Sequence, residues 1–167
     1  MSRTKTPCPL LNATQAAFLC GPVSIALASH DGNGVPSLSR AFGCRVSPDR
    51  CDVVVFLPKR RAAPLLRDLA RGSPVAAVFS RPQTHETLQL KATHARLDEL
   101  APGDRDIMRR AGEAFSAELV SLGYSDAFSH AMMAPGADEA VAAVFTPAAV
   151  FEQTPGPQAG RRLQPPS

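Results

Sequence analysis

Three cations stand together at Lys59, Arg60 and Arg61, directly after the apolar run "VVVFLP" and directly before leucines at helical spacing, Leu65, Leu66 and Leu69. Like charges this close repel, so the run needs either water around it or an anion among it. Arg and Lys meet an anion best through charge-assisted and bidentate hydrogen bonds. A helix starting at about residue 62 would add backbone N–H groups and the positive end of its dipole. A solvated basic loop is the ordinary alternative for such a run.

Other reactive residue types are more scattered. His30, His85, His94 and His130 have no metal-ligand spacing, so no metal site is expected. Ser29-His30-Asp31 contains the residue types of a hydrolytic triad, but sequence neighbours do not converge as a triad requires. Gly32, Gly34 and Gly43 form no dinucleotide-binding fingerprint. Cys8, Cys20, Cys44 and Cys51 include no C-x-x-C pair. Reduced, buried thiols are the expectation for these four, with Cys44 and Cys51 across a hairpin as the alternative.

The elements that must position these residues follow from periodicity and turn chemistry. Asn12 or Thr14 can cap a short helix through Leu19, stopped by Gly21-Pro22. A strand over 23–29 runs into "HDGNGVP", whose Asp-Gly and Asn-Gly pairs tolerate positive φ. A return strand covers about 37–46, and a third, 53–57, is apolar at every position, as in a strand covered on both faces. A short amphipathic helix spans 62–71, strands follow at 75–79 and 87–97, and a longer helix spans 104–122. Its face is Ile107, Ala111, Phe115, Leu119 and Leu122. Ser125 can cap a further short helix, and a last strand or strand pair covers 140–152, bent at Pro147. Residues 1–11 read as a flexible arm, 12–153 as one domain and 154–167 as a Pro/Gly-rich tail. Tight turns between most strands predict a mainly β fold with a few peripheral helices: a six-stranded antiparallel split barrel, with the 104–122 helix outside it.

The 167 residues suit one core, and 44% apolar with 20% charged residues is a globular composition. A net charge of +3 and a pI near 8.9 are too weakly basic to argue for nucleic acid as a partner. No apolar run reaches membrane-span length, so no membrane partner is expected. "ALAS" at residues 26–29 resembles a signal-peptidase site, but Gly21-Pro22 and the strand alternation of 23–28 oppose that reading. A cytoplasmic chain is expected.

In order, "VSIALASHDGNGVP", "SLSRAF", "VVVFLPKRRAAPLLRDL", "SPVAAVFS" and "TLQLKATHARL" resemble the pyridoxamine 5′-phosphate oxidase-like flavin-binding split barrels, over about residues 18–97. "VFTPAAVFEQTPGP" adds weaker similarity. The resemblance implies FMN as cofactor and a homodimer with the flavin between subunits. It implies that Arg40 on the second strand and Lys59, Arg60 and Arg61 after the third hold the phosphate. The backbone of Arg40, Ala41 and Phe42, and that of Leu57 and Pro58, would meet the ring, and Gln89 could reach it. True pyridoxamine phosphate oxidases grip substrate with a C-terminal segment rich in Arg, His and Trp. Here there is no Trp, and the tail offers only Arg161 and Arg162. The vitamin B6 reaction itself is therefore not expected, and the substrate is not readable. The expectation is an FMN-dependent oxidoreductase acting on a small molecule. The alternatives are a flavin- or haem-binding sensing module of the same fold, or a deazaflavin (F420)-dependent reductase. No catalytic acid or base stands out.

Overall fold

The structure is a computed structural model, and it describes residues 8–133 and 139–166. Its elements, in chain order, are α1 (Ala13–Leu19), β1 (Ser24–His30), β2 (Pro36–Ala41), β3 (Cys44–Val46), β4 (Val53–Pro58), α2 (Ala63–Ala70), β5 (Val75–Ser80), β6 (Thr87–Ala92), β7 (Arg96–Asp98), α3 (Asp104–Ser121), α4 (Asp126–Met133), β8 (Ala140–Phe145) and β9 (Ala149–Glu152). The mainly β reading holds, with four helices among the described residues. The strands form two antiparallel sheets, ordered β2-β1-β5-β6-β9 and β3-β4-β8-β7, rather than one six-stranded barrel.

The count differs because three expected strands are broken where they pass from one sheet to the other. The expected strand 37–46 divides at Phe42-Gly43. There the Phe42 N–H donates to the Phe56 carbonyl at 2.9 Å, and the Phe56 N–H donates to Gly43 at 3.1 Å. Two residues thus face one, which is a bulge, and Gly43 takes a φ of 134° to make it. The expected strand 87–97 divides at Thr93–Ala95, and 140–152 divides at the bend holding Pro147. Each half follows the sheet to which its inward side chains belong.

Both sheets turn their inner faces to one core, which includes Ile25, Leu27, Val53, Val55, Leu57, Ala77, Phe79 and Leu90. Burying such Leu and Phe side chains contributes roughly 1.5–3 kcal/mol each. A second, smaller cluster sits outside β4, where Val54 and Phe56 meet Met108 of α3. This explains why β4 is buried at all six positions: core lies on one face and α3 on the other. A half-buried ion pair fastens α3. Arg45 Nε of β3 donates to Asp104 Oδ1 at 2.7 Å, and Asp104 Oδ2 accepts the Ala101 N–H at 2.8 Å.

The two ends of the chain are tied down. Leu11 is fully buried, and Cys8 is joined to Cys51 by a disulfide with 5.5 Å between Cα atoms. The cysteine expectation is therefore corrected: Cys51 pairs with the N-terminal arm, not with Cys44, and only Cys20 and Cys44 are free thiols. Local spacing could not show this, because the partners are 43 residues apart. In the tail, Leu163 N–H donates to Val150 O at 2.8 Å, and Arg162 bridges Phe151, so this segment returns along β9.

Candidate functional site

The site is built on the outer face of the five-stranded sheet and on the loop after β4. Strand register places one straight row across that sheet. Arg40 pairs with Ala26, Ala26 with Val78, Val78 with Gln89, and Gln89 with Phe151. Alternation turns all five side chains away from the core, and all are partly or fully exposed. Three strand spacings separate Arg40 from Gln89, about 14 Å. Between them lie only Ala26 and Val78, flanked in the next row by Ala28 and Ala76. Small residues there make a flat, shallow, apolar floor.

At the cationic end, Arg40 lies over the ring of Phe115 from α3, its guanidinium carbon 5.9 Å from the ring centroid. Arg61 lies over Phe42 at 5.5 Å. Each arginine thus has its own aromatic neighbour, Phe115 for Arg40 and Phe42 for Arg61. The bulge at Phe42-Gly43 joins the end of β2 to β4. Arg60 and Arg61, with Pro58 and Glu139, line a hollow of about 540 Å³. Glu139 Oε1 stands 4.0 Å from Arg60 Nη1, a loose contact for an ion pair whose arginine is 85% exposed. No side chain caps α2, which begins here with Pro64 in its first turn. Among the described residues Arg40 and Lys59 have no carboxylate within 4.0 Å.

The structure separates the expected residues. Arg40 lies over Phe115, Arg61 lies over Phe42, and Arg60 and Arg61 line one hollow. Lys59 turns instead into a neighbouring hollow of about 450 Å³ that includes Glu99 and Arg105. Gln89 stands at the far end of the row and accepts from Gln153 Nε2 at 3.2 Å. Ala41 and Leu57 are buried in the inner core, while buried Phe42 lies under Arg61 and Pro58 lines the hollow of Arg60 and Arg61.

Some of the backbone donors near the expected ring position are already bonded within the fold. The Phe42 and Phe56 N–H groups are taken up by the bulge, the Lys59 N–H donates to Glu139 O at 2.6 Å, and Pro58 has no N–H. These backbone donors are therefore not available to a ring. Sequence reasoning also missed Phe115, Glu139 and Phe151 as site neighbours. Phe115 was visible only as one member of an apolar helical face. Phe151 appears only once β9 is paired with β6, where Lys91 Nζ lies 5.0 Å from its ring centroid.

No family model and no curated protein matches the sequence. Among solved structures, a candidate pyridoxamine 5′-phosphate oxidase from Lactobacillus delbrueckii is similar with a TM-score of 0.52. It is 17% identical, over 84% of this chain and 93% of that one. The HupZ protein of Group A Streptococcus is similar at a TM-score of 0.54 and 12% identity, over 90% and 99% of the two chains. An F420 reductase is similar at 0.51 and 12%, over 84% and 98%. The chain thus has the fold of the pyridoxamine 5′-phosphate oxidase-like proteins across nearly the whole length of each neighbour.

Proposed function

We propose that this protein is an FMN-binding flavoprotein, acting as an oxidoreductase on a small molecule. The observation that carries the reading is the row from Arg40 to Gln89. It offers cations at one end, a flat apolar floor in the middle, and an amide at the other. That sequence of surfaces suits a ligand with a phosphate at one end and a flat heteroaromatic ring at the other. The residues present fit such a group: among the described residues Arg40 has no carboxylate within 4.0 Å, and the hollow at Arg60 and Arg61 falls in the usual size range for ligand pockets, roughly 300–1,000 Å³. Glu139 opposes the anion, and its loose contact with Arg60 leaves that arginine exposed to a ligand. The fold shared with a candidate pyridoxamine 5′-phosphate oxidase supports the same reading.

In this reading Arg40 and Arg61 hold the phosphate, while Phe42 and Phe115 keep the two guanidinium planes in place. Arg60 closes the phosphate end, and Gln89 hydrogen-bonds the polar edge of the ring. Bound flavin supplies the redox chemistry. The chain binds it, orients it and shields one face. The other face is open in a single chain, so a second copy seated on this sheet completes the site. The neighbouring F420 reductase keeps one further reading alive, because a deazaflavin also presents a phosphate and a flat ring.

The test is reconstitution of the purified chain with FMN, F420 or haem, followed by absorbance and isothermal titration. Retention of FMN with flavin bands, bleached by a nicotinamide donor or by substrate, supports the proposal. Preference for F420 moves the assignment to the deazaflavin reductases. A Soret band with no flavin uptake, or no uptake of any of the three, overturns it.

A further inference from the structure

A second reactive constellation lies on the other side of α3 from the arginines. Cys20 closes α1 and is exposed, while Cys44 opens β3 and is buried. The two thiols face one another's surroundings across a single hollow. Cys44 Sγ donates to the carbonyl of Leu19, the residue before Cys20, at 3.0 Å, which holds it against the end of α1. Both sulfurs line a hollow of about 390 Å³ walled mainly by small and apolar residues, Gly21, Pro22, Ile107 and Ala111 among them. The charged groups facing it are Arg45 from β3 and Arg110 from α3, each paired to an aspartate, Asp104 and Asp106.

The surroundings divide the pair into unlike partners. The neighbouring Cys44, helped by the Val46 N–H and opposed by burial, brings Cys20 down to about 7. The Cys44 thiol is pushed well up, by Cys20 and by burial. At neutral pH the exposed sulfur is thus substantially thiolate, and the buried one keeps its proton. An exposed thiolate that shares one hollow with a buried, protonated thiol has the arrangement of an attacking and a resolving cysteine.

We propose that Cys20 and Cys44 are a peroxide-reactive dithiol that closes to a disulfide, independently of any flavin. The Cys20 thiolate attacks one oxygen of a hydroperoxide. An S–O bond forms, the O–O bond breaks, and the departing oxygen takes a proton from solvent. Cys20 is then a sulfenic acid. Cys44 attacks that sulfur, the S–S bond forms, the S–O bond breaks, and the hydroxide leaves as water with the Cys44 proton. Two electrons pass from the two thiols to one peroxide. The product ties the end of α1 to β3, one residue from Gly43 and two from Phe42.

The test treats the full chain, with its Cys8–Cys51 disulfide intact, with one equivalent of hydrogen peroxide and maps the peptides without reduction. The expected result is joint loss of both free thiols and a Cys20–Cys44 linked peptide, with Cys8–Cys51 unchanged. Cys20 should react about threefold faster than free cysteine at pH 7, its larger thiolate fraction offset in part by lower nucleophilicity. Cys44→Ser should leave a dimedone-trappable sulfenic acid on Cys20, and Cys20→Ser should leave Cys44 unreactive. Peptide mapping of the unaltered chain decides the matter even where Cys44→Ser folds poorly. Cys20 reacting no faster than free cysteine, oxidation stopping at Cys20 in the unaltered chain, or linkage running through Cys8 or Cys51 overturns the proposal.

Discussion

Arg40 and Arg61 both contact an aromatic face, and that sets what their removal should do. An arginine held over a ring has already lost much of its rotamer freedom, so its bonds to a phosphate cost less ordering on binding. Charge-assisted bonds of this kind contribute roughly 1.5–3 kcal/mol each. Arg40→Ala or Arg61→Ala should therefore weaken FMN binding at least about tenfold, or about 1.4 kcal/mol. Lys59→Ala should change it little, because Lys59 faces the hollow of Glu99 and Arg105. Riboflavin, which lacks the phosphate, should bind far more weakly than FMN to the unaltered protein and nearly equally weakly to the Arg40→Ala variant. Titration calorimetry with the two ligands reads all of this, and equal affinity for both would remove the arginines from the site. Gly43 is the other residue with a sharp expectation. Its φ of 134° is one that L side chains rarely adopt, and an added Cβ would stand 3.1 Å from the Ala111 Cβ. Gly43→Ala should lose about 1–3 kcal/mol in urea unfolding, from backbone strain and the forced shift of α3.

At the scale of elements, α3 decides how the basic strand end is presented. It begins at the Arg45–Asp104 pair, passes Gly43 at Ala111, and reaches Arg40 at Phe115. Asp104 is 2% exposed at its side chain and takes hydrogen bonds from Arg45 and from the Ala101 N–H. Asp104→Ala removes the acceptor for both and leaves Arg45 partly buried without a partner. The expected loss is about 2–4 kcal/mol, toward the lower side of what breaking a buried pair costs because Arg45 keeps some solvent. Thermal unfolding monitored by circular dichroism checks the size. FMN affinity should fall with it, since Phe115 no longer backs Arg40. An unchanged melting temperature would show that α3 is held by apolar contacts alone.

For the whole molecule, the question is what covers the outer face of the five-stranded sheet. Sheets in small domains bury one face against the core and need a reason to leave the other apolar. Here Ala26, Ala28, Ala76 and Val78 lie on the open side, and Leu38 beside them is 68% exposed. A two-fold dimer through this face buries that patch and encloses the row from Arg40 to Gln89 at once. The expected interface exceeds roughly 1,200 Å² in total. Ala28→Arg places a long charge in the middle of the floor and should shift sedimentation equilibrium from dimer to monomer, with flavin affinity lost in parallel. A monomer in the unaltered protein at micromolar concentration would instead leave this face to another partner.

Much of this was legible along the chain because it depends on local rules. The all-apolar 53–57 strand and the Asp-Gly and Asn-Gly turn each state a local geometry, and each holds in the fold. The 104–122 helix forms too, but its buried face includes Met108 with Phe115 and Leu119, while the expected Leu122 is 44% exposed. The three cations after β4 were visible for the same reason, as a charge run at an element boundary. What the sequence left open is everything that depends on which strand lies beside which. Register alone put Arg40 and Gln89, 49 positions apart, in one row, and turned Lys59 away from Arg60 and Arg61. The bulge at Gly43 took up the backbone donors that a regular strand would have offered. Cys51 met Cys8 rather than Cys44 because the N-terminal arm, with no periodicity to betray it, is pinned by one buried leucine. Local propensity is a property of neighbours in sequence, and a binding site is a property of neighbours in space. Only the packed sheets, which bring distant residues within one side chain's reach, could decide the second.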